Sequence, residues 1–140
     1  MIDEYLKNIM ILRKEADELD EDNPSSLMQK IQTLVKCQMY IGRVSSIVDG
    51  DYKRIYAQRK YKHAIAYKNA LKDKPATAEI AVKELREQEA TIYQEMTRWR
   101  NAFMSTTEEL HSLKLKMKID FYDGSSSNVP IQSNQQRRSN

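Results

Sequence analysis

The chain has 140 residues, of which 40% are hydrophobic and 31% charged, and its formal net charge is +3. That length fits one domain, but the composition leaves little apolar material for a thick globular core, so elongated helices meeting along narrow seams are expected. Three glycines and three prolines provide few turns, which disfavours a turn-rich β fold, and the single cysteine, Cys37, excludes an internal disulfide.

The opening stretch, MIDEYLKNIM, has neither a basic leader nor an apolar run of signal-peptide length. No window approaches the roughly eighteen apolar residues that span a bilayer. The chain therefore reads as cytoplasmic, and Cys37 as a reduced thiol in an apolar-periodic stretch, a small core residue.

From Ile2 to Leu19 the apolar residues Ile2, Leu6, Ile9, Leu12, Ala16 and Leu19 recur at spacings of three and four, which predicts a first helix over about residues 2–20. The acidic run Asp20, Glu21, Asp22 suits a helix C-terminus poorly and is assigned to a loop. Asn23 followed by Pro24 pairs an N-cap with a proline at the first helical position. A second helix starts there and carries Leu27, Ile31, Leu34, Ile41, Val44 and Val48 inward. Asp49-Gly50-Asp51 is expected to break or kink it, giving helices over about 24–48 and 52–72. Lys72-Asp73-Lys74-Pro75 then stops the chain, because the residue before proline is pushed out of the α region.

The strongest pattern follows Pro75. Alternating steps of four and three from Ala78 reach Val82, Leu85, Glu89, Ile92, Met96, Trp99, Phe103, Thr106, Leu110, Leu113 and Met117, and ten of these twelve positions are apolar. Such a stripe predicts a coiled-coil or helical-hairpin seam in a helix over about 76–118, about 60 Å long. Leu85, Ile92, Met96, Trp99, Phe103, Leu110 and Leu113 are its seam residues. Glu89 and Thr106 are polar there, either fixing register or facing a gap. The segment LKLKMKIDFY alternates with period two, yet it lacks a partner strand and is assigned to helix as far as about Lys118. Residues 123–140 are low in hydrophobicity and are expected to form a disordered tail. A helix over 52–72 would be only about 30 Å long, too short to cover the whole stripe. The remainder would need the N-terminal helices or another subunit.

Enzyme signals are absent. There is no glycine-rich phosphate loop or nucleophile elbow, and the lone Glu108/His111 pair lacks the second copy that a di-metal helical bundle needs, so no metal and no cofactor are expected. Charge is more informative. Residues 1–22 carry three basic and eight acidic groups, whereas residues 53–74 carry eight basic groups and one acid. Lys53, Arg54, Arg59, Lys60, Lys62, Lys68 and Lys72 alternate there with tyrosines, Tyr61 among them. Basic side chains neutralise phosphates and tyrosine rings stack on unpaired bases, a combination suited to single-stranded nucleic acid. Tyr52, Tyr56, His63 and Tyr67 fall close to one face, and at least some are expected in the core, leaving Arg59, Lys60, Lys62 and Lys68 facing outward.

The basic, tyrosine-bearing helix of Tyr52 to Leu71, the break Lys74-Pro75-Ala76-Thr77 and the longer helix of Ala78 to Met117 resemble the layout of small helical bacteriophage recombination mediators of the UvsY type. The resemblance covers about residues 50–122. It implies an all-α homo-oligomer that binds single-stranded DNA and helps load a recombinase onto strand coated with single-strand-binding protein. On that likeness Arg59, Lys60, Lys62 and Lys68 would contact phosphates and Tyr61 would stack. The competing expectation is a structural or adaptor coiled-coil protein that binds only protein partners.

Overall fold

A computed structural model describes residues 1–123. It is all-α: α1 (Ile2–Asp17), α2 (Pro24–Asn69), α3 (Lys74–Ala81) and α4 (Lys83–Met117), closed by a π-helical turn over Lys118–Asp123. Apart from Asp123, the expected tail lies outside the described residues. Among the described residues no helix is long and apolar enough to cross a membrane.

The start of α2 follows the predicted chemistry. Asn23 is extended at φ −111°, and its Oδ1 accepts from the amides of Ser25 at 2.9 Å and Ser26 at 3.1 Å. Two of the helix's otherwise unpaired donors are thereby satisfied. Helix α1 ends at Asp17, three residues short of expectation, because Asp20 Oδ1 accepts from the Asp22 amide at 2.9 Å and folds the acidic run into a local turn. Glu21 in that loop pairs with Lys30 at 3.1 Å, which accounts for a lysine only 7% exposed.

The expected break at Asp49-Gly50-Asp51 does not occur: α2 runs unbroken for 46 residues, about 69 Å. Its cost is small, since one interior glycine is worth only about 1 kcal/mol, and packing on both sides offsets it. This changes the topology, because a single helix now covers the seam from end to end. The seam helix is in turn divided, with Val82 at φ −108°, ψ 9° between α3 and α4. Neither proline nor glycine causes the bend. Val82 at the bend and Ala78 one turn before it are both fully buried, so the seam stays continuous through the bend.

Helix α1 lies along one side of the α2/α4 pair, running antiparallel to α2. Two apolar clusters fill this three-helix end. Ala16, Leu27, Ile31, Leu34, Leu110, Leu113 and Met117 form the outer one. Val44, Val48 and Met96 form the inner one, covered by Ile2, Tyr5, Leu6 and Ile9 of α1 and by Ile92 and Trp99 of α4. Beyond Val48 no residue of α2 is fully buried. There the molecule thins to a two-helix arm of α2 against α3 and the start of α4. The turn at the arm's tip places Asp73 in the left-handed region at φ 47°, a conformation that aspartate tolerates better than most residues.

Two outcomes follow. Gly50→Ala should raise unfolding free energy by up to about 1 kcal/mol, since a Cβ there meets only the Arg54 guanidinium, at an ordinary contact distance of 3.6 Å. At Gly42 the added Cβ would lie 3.3 Å from the Phe103 ring, so Gly42→Ala should gain less; urea denaturation of both variants separates the cases. Cys37 is 1% exposed, and burial pushes its thiol pKa up. Alkylation by iodoacetamide at neutral pH should therefore be slow in the native protein and rapid once it is unfolded.

Candidate nucleic-acid interface

In the arm, the α2 residues turned toward α3 and α4 are Tyr52, Ile55, Arg59, His63 and Ala66, spaced by three and four and each only partly exposed, with Ala70 as the C-cap. This inward strip is narrow and partly charged. Arg59 does not face solvent: its side chain is 13% exposed and pairs with Glu89 of α4, itself 16% exposed. The polar seam residue Glu89 thus has a partner of opposite charge on the facing helix and no gap. Thr106, the other polar seam position, donates to the Ala102 carbonyl one turn earlier at 2.8 Å.

With the inward strip so placed, the tyrosines fall differently from expectation. Tyr52 is half-buried, but Tyr56 and Tyr67 are 38% and 45% exposed, because they lie at the edge of the strip and not under it. Tyr52, Tyr56, Lys60, His63 and Tyr67 recur at four, four, three and four, which sets them along one flank of α2. Tyr93 reaches in from α4, its ring centroid 5.8 Å from that of Tyr52, and Tyr52 lies 6.3 Å from Tyr56. Farther along, His63 stacks on Tyr67 at 6.5 Å. Cations sit over these rings: Arg59 at 5.1 Å and Lys60 at 5.0 Å from Tyr56, and Lys74 at 5.7 Å from Tyr67. The result is a ladder of rings and cations about 22 Å long.

The acids on this flank are already engaged. Glu79 accepts two hydrogen bonds from Arg86, both 2.7 Å, and lies 3.3 Å from His63 Nε2. The hydrogen bonds from Arg86 hold the Glu79 carboxyl below its ordinary pKa. Glu89 is held by Arg59, and Asp49 by Arg100 at 3.1 Å. By contrast, Lys53, Lys60, Lys68 and Lys74 make no ion pair among the described residues. The flank therefore presents lysines without an acidic partner beside partly exposed aromatic rings.

The eight residues expected from sequence to bind nucleic acid are not brought together on one surface. Lys60 and Lys62, two positions apart, point about 200° from each other around the axis. Lys53 and Lys60 lie on or beside the ladder, and Lys68 on the outer edge. Lys72 is beyond the helix, in the α2–α3 turn, and Arg54 pairs with Asp51. Tyr61, 71% exposed, lies with Lys62 on the opposite flank, where Gln58, Tyr61, Lys62, Ile65 and Leu85 line an apolar groove of about 350 Å³. The next stretch of that groove is rimmed by Glu84 and Glu87, which a polyanion would avoid. Sequence reasoning counted Lys74 in the basic segment without naming it as a contact, missed Tyr56 and Tyr67 as exposed rings, and missed Arg86 and Tyr93 altogether; the four- and three-residue recurrence from Tyr52 was the available signal.

The seam residues fare better. Met96, Leu110 and Leu113 are buried and Leu85, Ile92 and Trp99 half-buried, while Phe103 is 40% exposed and packs beside Gly42. Among the described residues no group of three or more His, Cys, Asp or Glu side chains is placed to hold a metal ion. Compared with protein-family models, curated proteins and solved structures, the chain matches none of them.

Glu89→Ala would leave Arg59 buried without a counter-ion. It should destabilise the fold by about 2 kcal/mol, below the range for a fully buried pair because both side chains keep some contact with water. Replacing both partners by leucine should recover most of that loss, measured by thermal unfolding.

Proposed function

We propose that this chain is a non-enzymatic accessory protein of DNA recombination or replication that binds single-stranded DNA through the α2 ladder and acts as an oligomer. The observation that carries the reading is the run Tyr93, Tyr52, Tyr56, His63, Tyr67, with Lys53, Lys60 and Lys74 outside any ion pair among the described residues and with Glu79, Glu89 and Asp49 each held by an arginine. Aromatic faces stack on any unpaired base, and lysines alongside neutralise phosphates without reading sequence. A duplex, its bases already stacked, would use only the lysines. The further role of helping a recombinase onto strand coated with single-strand-binding protein rests on the sequence resemblance to UvsY-type mediators over about residues 50–122.

The protein should bind a thirty-base oligothymidine, read by fluorescence anisotropy, more tightly than a duplex of equal length. With about four phosphate contacts, affinity should fall about fiftyfold between 50 and 200 mM salt. Lys53→Glu/Lys60→Glu should weaken binding about a hundredfold at low salt. An absence of binding at low salt would overturn the reading and favour a protein adaptor, for which the apolar groove of Gln58, Tyr61, Ile65 and Leu85 is the relevant surface.

A further inference from the structure

Helix α2 contains only two carboxylates in 46 residues, Asp49 and Asp51, and both are engaged, by Arg100 and Arg54. Its outward ridge next to the ladder consists of Ser46, Gly50, Lys53 and Ala57, recurring at four, three and four. Short side chains and the absence of acids on this ridge let a phosphate backbone approach closely. At the far end of the ridge lies Arg43.

Arg43 is exposed, yet it is held in place. Its guanidinium carbon sits 5.6 Å from the Tyr5 ring centroid and 5.3 Å from that of Tyr40, and the two rings are 5.8 Å apart. Tyr5 belongs to α1 and Tyr40 to α2, so two helices build the clamp. Its only hydrogen bond among the described residues is from Nη2 to Met39 Sδ at 3.9 Å, and no carboxylate lies within ion-pair distance. The other exposed arginines among the described residues behave otherwise: Arg54, Arg86, Arg98 and Arg100 each have an acid. Cation–π contacts with two rings restrain a guanidinium without engaging a carboxylate, so its N–H donors can take a phosphate through two parallel hydrogen bonds.

We propose that Arg43 is a second phosphate anchor for the strand that lies on the ladder, about 26 Å along α2 from Lys60. The proposal rests on the single-strand reading above and extends its footprint from the arm onto the three-helix body, across Lys53, Gly50 and Ser46. A clamp that merely staples α1 to α2 would affect stability alone.

Oligonucleotide length tells these apart. A six-base strand is fully occupied by the ladder, at about 3.4 Å per stacked nucleotide, whereas a thirty-base strand reaches Arg43. Oligothymidines of both lengths are titrated by anisotropy into wild type, Arg43→Gln and Arg43→Lys, with helicity and thermal midpoint recorded for each. Arg43→Gln should weaken the thirty-base complex about fivefold and lower its salt slope by about one, leaving the six-base complex unchanged. Arg43→Lys, which keeps the charge but not the planar fork, should fall between. Unchanged thirty-base binding in a folded Arg43→Gln, or equal weakening at both lengths, overturns the anchor while the ladder stands. Failure of wild type to bind the thirty-base strand overturns the single-strand reading itself, and the anchor with it.

Discussion

The ion pair between Arg59 and Glu89 lies in the arm, where α2 has no fully buried apolar residue to hold it against α4. Toward the three-helix end, leucines, valines and methionines interdigitate, and hydrophobic burial alone can set the register. In the arm the facing side chains are mostly short, aromatic or charged, with Ile55, Val82 and Leu85 the larger aliphatic ones, and a slip by one turn would cost less apolar contact than at the three-helix end. A charged pair shielded on both sides penalises such a slip, because either partner left alone would be desolvated without compensation. The Glu79 link to Arg86 and His63 continues the same device toward the tip, tying α3 to α2 where burial is thinnest.

That arrangement shapes the surface. Arginines in and beside the seam neutralise the acids there, so Lys53, Lys60 and Lys68 in the arm of α2 make no ion pair among the described residues. The rings at the seam's edge are neither buried enough to vanish nor exposed enough to move freely, and cations settle on their faces. Charge is also separated along the molecule: the acidic turn after α1 lies at the three-helix end and the lysine-rich arm at the other. A field of that polarity draws a polyanion toward the arm and orients it before contact. The open groove on the opposite flank, with Glu84 and Glu87 on its rim, lacks this attraction and suits a polypeptide better than a nucleic acid.

Much of the helical organisation was legible in sequence because local chemistry decides it. Asn23-Pro24 specifies where α2 begins, Lys74-Pro75 where the next helix begins, and the four-three stripe from Ala78 to Met117 which face of α4 meets its partner. Asp49-Gly50-Asp51 misled, since a glycine between two aspartates looks like a turn locally; the packing of Val44 and Val48 on one side and of Tyr52 and Ile55 on the other outweighs so small a propensity cost. The bend at Val82 was invisible for the opposite reason, there being no breaker residue in that stretch.

From the order of its residues alone, this protein was determined to be helical, low in turns, built on one long seam and strongly basic between Lys53 and Lys74, because periodicity, capping and charge are properties of the chain itself. Which of the basic residues face the same way depended on the tertiary structure. Arg59 and Lys60 are neighbours in sequence, yet one is spent on Glu89 across the seam and the other stands over Tyr56. The direction of the inward strip, set by packing α2 against a helix thirty residues distant, separates them. Arg43 owes its position to the same cause, since Tyr5 and Tyr40 meet only after α1 folds back along α2.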